Sequence, residues 1–96
     1  MTTTGETFTM HGGEQLTFSA FVLGLASSAL IHLGVHQNPE TGSVQVDLIS
    51  ARQSIDVLAL LREKTRGNLS AEEEQLFSSV LADLRLRFVE KSNSKA

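Results

Sequence analysis

The longest apolar stretch of the chain runs from Phe18 to Leu33 and contains no formally charged residue. Apolar side chains fall on every face of the helix that this stretch predicts, so the helix must be covered on several sides. A chain of 96 residues has little other structure with which to cover it. Because Thr17 is a suitable N-cap and Gly34 a suitable C′ residue, we expect helix 1 to span 17–33.

Two further helices are predicted from apolar residues that recur at helical spacing. Helix 2 runs from Leu48 to about Arg66, with Asp47 as its N-cap. Helix 3 starts at a capping box formed by Ser70 and Glu73, in which each residue bonds the backbone N–H of the other. Because the connection between them is short, we expect helices 2 and 3 to pack as an antiparallel hairpin.

The pattern therefore predicts an all-α domain of three helices over 17–91, with a C-terminal antiparallel helical hairpin. Residues 1–16 carry few large apolar side chains and are predicted to be a flexible N-terminal tail. Residues 92–96 are predicted to be a disordered C-terminal tail. Phe8 and Met10 alternate as in a strand, but so short a run does not predict one by itself.

Composition narrows the possible functions. Eight Lys and Arg against eleven Asp and Glu give a formal net charge of -3, so the chain lacks the basic excess that nucleic-acid phosphates require. We therefore expect no nucleic-acid partner. The absence of cysteine excludes disulfides and thiolate chemistry and fits a reducing compartment. No basic start precedes the apolar stretch, as a secretory signal would need, so we expect a cytoplasmic protein.

Three segments, in the same order, resemble one bacterial family. These segments are FSAFVLGLASSALIHLG, ARQSIDVLALLREKTRGNLSAEEEQLF and LADLRLRFVE. Together they resemble the short bacterial proteins grouped as domain of unknown function 1844, over about Phe18 to Glu90. The resemblance implies a small helical bacterial protein without an assigned activity, and it carries no catalytic residue onto this chain.

The histidines give only weak candidates for a metal site. His32 and His36 are four residues apart, a spacing that would present two imidazoles to one metal ion on a continuous helix. Gly34 lies between them at the predicted helix end, and the only further ligands in prospect are Glu40 and His11. We therefore predict no metal and no other cofactor.

The remaining polar side chains predict no catalytic residue. Arg52 precedes Asp56 by four residues and Arg87 follows Asp83 by four, so these carboxylates are expected to form ion pairs rather than an acid–base pair. No serine has a histidine and an acid at a recognisable spacing, and the glycines form no phosphate-binding motif. We therefore expect a protein that is not an enzyme.

A row of small residues on helix 1 is the feature that best indicates a function. Ala20, Gly24 and Ser28 recur every four residues, which lets another helix backbone approach closely. We favour contact between helix 1 of two chains, and the alternative is packing against the hairpin of the same chain. The predicted interface residues are Ala20, Phe21, Gly24, Leu25, Ser28 and Ile31.

These patterns predict a helical interaction and oligomerisation module, with a homodimer favoured. We expect a cytoplasmic adaptor that docks on a larger protein of a bacterial signalling, polarity or regulatory complex, through the apolar groove between helix 1 and the hairpin. One alternative is association with a membrane surface through helix 1. A membrane span is disfavoured because 17–35 contains serines and His32 and lacks basic flanks. The last alternative is a small metal-binding protein that uses His32 and His36.

Overall fold

The structure is a computed structural model that describes residues 7–13 and 15–94. The three predicted helices are confirmed, but a small antiparallel sheet precedes them, so the prediction of a purely all-α fold is wrong. Residues 1–6 and 95–96, which belong to the predicted tails, lie outside the described residues, and so does Glu14. The elements are β1 (Thr7–Thr9), β2 (Gln15–Thr17), α1 (Phe18–His32), α2 (Leu48–Lys64) and α3 (Ala71–Ser94).

The two strands form a short β-hairpin in the segment that the sequence predicts as a tail. Phe8 lies opposite Leu16 in the antiparallel register. In the connection, the backbone N–H of Gly13 donates to the carbonyl of Met10 at 2.9 Å, and the φ of Gly13 is +90°, a conformation that favours glycine. Strand β2 leads directly into α1, because its last residue, Thr17, is also the N-cap of that helix.

The three helices begin at the caps that the sequence predicts. The Thr17 hydroxyl accepts the Ala20 N–H at 3.0 Å at the start of α1. Asp47 caps α2. At α3 both bonds of the capping box are present, with Ser70 N–H donating to Glu73 at 2.8 Å and Glu73 N–H donating to the Ser70 hydroxyl at 3.1 Å. Helix α3 continues to Ser94, into the predicted C-terminal tail.

The core lies where α1, α2 and α3 meet. Small residues of α1 and α2, such as Ala29 and Ala51, are fully buried there and allow the helix backbones to approach closely. The ring of Phe77 from α3 is also fully buried, and its centroid lies 5.8 Å from that of Phe18. The buried apolar residues are Val22, Ala26, Ala29, Leu33, Ala51, Ile55, Leu58, Phe77, Leu81 and Leu84.

Helices α2 and α3 contact each other at two places along their lengths. Arg62, near the end of α2, contacts Glu74 near the start of α3. At the other end of the pair, Arg52 in α2 and Phe88 in α3 line the same hollow. The surface between α2 and α3 is therefore formed by residues that lie far apart in the sequence.

Candidate functional site

The predicted small-residue row lies on a side of α1 that the other described residues, 7–13, 15–17 and 33–94, leave uncovered. Ala20, Gly24 and Ser28 are exposed, whereas Val22 and Ala26 of the same helix are buried in the core. A Cβ placed on Gly24 would meet no atom of the described part of the chain within 4 Å, apart from the backbone of α1 itself. The close approach that this row permits is therefore not used by α2 or α3 of the same chain.

Large apolar side chains border this row. Phe21 is 42% exposed and Leu23 is 48% exposed, so both present much of their apolar surface to solvent. The other two predicted interface residues, Leu25 and Ile31, are half-buried, and Leu25 packs against the core. We name the uncovered surface the α1 outer face and define it by its exposed members, which are Ala20, Phe21, Leu23, Gly24, Ser27 and Ser28.

The β-hairpin extends the apolar surface at the start of α1. Phe8 of β1 is exposed, and it lines a shallow hollow of about 220 Å³ together with Leu16, Phe18 and Phe21. The rings of Phe18 and Phe21 lie 6.3 Å apart. Sequence reasoning missed the contribution of Phe8, because the hairpin that positions it was not predicted.

The two candidate metal-binding histidines do not share a helix. His32 is the last residue of α1, whereas His36 follows Gly34, whose φ of +78° takes the chain out of the helix. Within 7–13 and 15–94, no group of three His, Cys, Asp or Glu side chains is placed to hold a metal ion. The geometry therefore gives the His32 and His36 hypothesis no third ligand among the described residues.

A second surface lies between α2 and α3, where two adjoining hollows of about 300 and 330 Å³ share Arg85. Four of the five arginines in the chain line these hollows. Apolar side chains, including Phe88 and Val89, line them as well. We name this surface the arginine groove and define it by Arg52, Arg62, Arg66, Arg85, Phe88 and Val89.

Two of the groove arginines are neutralised by carboxylates. Arg62 donates to Glu74 at 3.2 Å and to the Ser78 hydroxyl at 2.8 Å, which links α2 to α3. Arg66 pairs with Glu63 at 2.7 Å. The hydrogen bonds from Arg66 lower the pKa of Glu63, and the positive charge of Arg66 lowers it further.

The other two groove arginines have no such partner. Neither Arg52 nor Arg85 forms an ion pair with any residue in the described part of the chain, so the predicted pair between Arg52 and Asp56 is not formed. The predicted pair between Arg87 and Asp83 is confirmed, at 2.9 Å. Sequence reasoning missed the groove, because its arginines come from two helices whose relative placement is a tertiary feature.

Comparison with known proteins agrees with the resemblance seen in the sequence. A family model described as domain of unknown function (DUF1844) matches residues 15–90. The chain belongs to the DUF1844 family. No curated protein and no solved structure matches it. Because the DUF1844 match runs from β2 into the last turns of α3, it includes the whole α1 outer face and the whole arginine groove.

Among the helices in the described residues, none combines the length and the apolarity that crossing a membrane would take. Helix α1, the most apolar of the three, has 15 residues.

Proposed function

We propose that this DUF1844 protein is a non-enzymatic helical module that forms a homodimer through the α1 outer face. In this proposal it serves as a cytoplasmic adaptor in a bacterial signalling, polarity or regulatory complex, and the antiparallel hairpin of α2 and α3 supports α1. The observation that carries the proposal is the uncovered row of Ala20, Gly24 and Ser28 between exposed large apolar side chains.

Gly24 gives this proposal its physical basis. A glycine within a helix destabilises it by about 1 kcal/mol relative to alanine. No described residue of the same chain requires that glycine, because a Cβ at this position would enter space that those residues leave open. A second helix backbone that crosses the row would require it, because only a small residue leaves room for close contact. Contact between two α1 helices would therefore explain why residue 24 is a glycine. The same contact would cover the exposed side chains of Phe21 and Leu23.

The distribution of charge favours a second copy over a lipid surface as the contact of this face. The first 51 residues contain no Lys or Arg, so the α1 outer face has no adjacent basic residues from its own segment to attract anionic headgroups. Membrane-surface association through α1 remains the alternative function. Co-sedimentation with vesicles of phosphatidylcholine and phosphatidylglycerol tests it, and we expect the protein to stay in the supernatant.

The proposal is tested by the mass of the untagged protein in detergent-free buffer, measured by multi-angle light scattering. We expect about twice the chain mass of 10.4 kDa. Gly24→Leu should lower the mass to that of one chain while the helical circular dichroism signal is kept, because the monomer has room for the new side chain. Ser79→Leu, which adds the same side chain at an exposed position of α3, is the matched control and should leave the mass unchanged.

Two results would contradict the proposal. One is a wild-type mass of a single chain across the concentration range measured. The other is a dimer that Gly24→Leu leaves intact, since the contact would then lie elsewhere.

A further inference from the structure

We infer that the arginine groove binds an acidic amphipathic helix of a partner protein, with carboxylates of that helix on Arg52 and Arg85 and its apolar side chains on Phe88 and Val89. The inference names the partner chemistry of the proposed adaptor. It rests on the protein being an interaction module, but it does not require dimerisation through α1.

The balance of charge in the groove is the first argument. Four arginines and three carboxylates line the two hollows, which leaves a net charge of +1 in a chain whose net charge is -3. The paired arginines, Arg62 and Arg66, lie together toward one end of the groove, near the end of α2. The unpaired arginines, Arg52 and Arg85, line the other hollow, so the uncompensated positive charge is concentrated there.

The shape and lining of that hollow are the second argument. It lies between two packed helices, and a groove of this kind is filled by the ridge of side chains on a third helix. Val89 is 52% exposed and Phe88 is half-buried, so apolar surface is available beside the guanidinium groups. An amphipathic helix with Leu on one face and Glu beside it would cover the apolar side chains and pair the two arginines at once.

The same lining argues against a nucleic acid as the occupant. Asp56 shares the hollow with the unpaired arginines, and Glu63 and Glu74 line the neighbouring one. A continuous phosphate backbone laid along the groove would meet these three carboxylates, and the net negative charge of the chain would oppose its approach. An amphipathic helix, unlike a continuous phosphate backbone, can carry carboxylates at the positions that face Arg52 and Arg85 and uncharged side chains elsewhere.

The experiment uses a labelled synthetic helix as the probe. This Glu/Leu peptide is an 18-residue helix with leucines on one face and glutamates flanking them, and its binding to the full chain is measured by fluorescence anisotropy. The variant Arg52→Gln/Arg85→Gln should weaken binding about tenfold, because two charge pairs are lost. Lys64→Gln/Arg87→Gln is the matched control: it removes the same charge from helix positions that do not line the groove and should bind as the wild type does.

A charge exchange makes the test more specific. Arg52→Glu/Arg85→Glu should reject the Glu/Leu peptide and bind a Lys/Leu peptide of the same design more tightly than the wild type does. Circular dichroism is used to check that each variant is folded. The inference is overturned if the Glu/Leu peptide does not bind, if both double glutamine variants bind equally, or if the groove binds a labelled single-stranded DNA or anionic vesicles instead of the peptide.

The dimer is tested separately in the same assay. Gly24→Leu should bind the Glu/Leu peptide as tightly as the wild type does, since Gly24 is not part of the groove. A wild-type protein that is monomeric and still binds the peptide would therefore contradict the proposed α1 interface alone. An intact dimer without peptide binding would contradict the groove alone.

Discussion

Asp47 forms hydrogen bonds with residues of both α1 and α2. Its carboxylate accepts the Ser50 N–H at 3.1 Å and the Ser50 hydroxyl at 2.8 Å, which caps α2. Its own N–H donates to the carbonyl of His32 at the end of α1, at 2.7 Å. The bonds from Ser50 lower the pKa of Asp47 below its ordinary value of 3.8, and the positive charge of His32 lowers it further.

The stability that the Asp47 charge contributes should depend on pH. Because its pKa is lower in the folded state, the contribution is complete above the unfolded value of 3.8 and is lost as the pH falls through the folded pKa. Asp47→Asn keeps an oxygen that can cap the helix and removes the charge. We expect the wild type to have the higher Tm between about pH 7 and pH 5, and the difference to shrink toward about pH 2.

Thermal melts followed by circular dichroism measure that difference. Asp47→Ser, a second neutral cap, should follow Asp47→Asn across the whole pH range. A gap in Tm that is as wide at about pH 2 as at neutral pH would show that the difference does not come from the charge of Asp47.

At the scale of the elements, helix starts were predictable because a cap is a local signal. Thr17, Asp47, and Ser70 with Glu73 each bond backbone groups within three residues, so the sequence alone identifies them. The β-hairpin was not predictable, because its strands have three residues each and mostly exposed side chains, which leaves no alternating pattern to detect. The sequence predicts that the helical domain ends at residue 91, whereas α3 continues to Ser94, because no glycine or proline marks the end of the helix.

The same distinction applies to the two candidate surfaces. The small residues of the α1 outer face recur every four positions within one helix, so the row can be recognised from the sequence alone. Its exposure depends on which side of α1 meets the core, and a helix that is apolar all round does not indicate that side. The arginine groove depends on Arg52 of α2 and Arg85 of α3 lying close together. No local sequence pattern indicates that two residues of different helices will be neighbours.

The capping box at the start of α3 gives a test at the scale of one element. Ser70→Ala should lower the free energy of unfolding by about 1 kcal/mol, because the Glu73 N–H loses its acceptor at the partly buried helix end. Glu73 itself is only 5% exposed, so water cannot easily replace the lost bond. Urea unfolding followed by circular dichroism measures the change.

Ser79→Ala is the control for this test. Ser79 is an exposed position inside the same helix, where alanine should be neutral or slightly stabilising. Equal effects of the two substitutions would mean that the capping bonds do not contribute to stability beyond helix propensity.

At the scale of the whole molecule, the apolar candidate surface and the charged candidate surface lie on different helices. The α1 outer face belongs to a helix without an Asp, Glu, Lys or Arg, whereas four of the five arginines line the groove between α2 and α3. Contact through the first surface would depend on burial of apolar area, which salt does not screen. Contact through the second would depend on pairs of opposite charge, which salt screens strongly at exposed sites. The proposed self-association and the proposed partner binding would therefore depend on different physical interactions.

This separation predicts opposite responses to salt. Raising sodium chloride from about 0.05 M to about 0.5 M shortens the screening length severalfold, so the dissociation constant of the Glu/Leu peptide should rise about tenfold. The mass of the protein measured by light scattering should stay that of a dimer over the same range, because no charged side chain belongs to the α1 outer face. A dimer that dissociates with salt would indicate a charged interface in place of α1. Peptide binding that salt leaves unchanged would mean that the apolar side chains of the groove, rather than Arg52 and Arg85, hold the peptide.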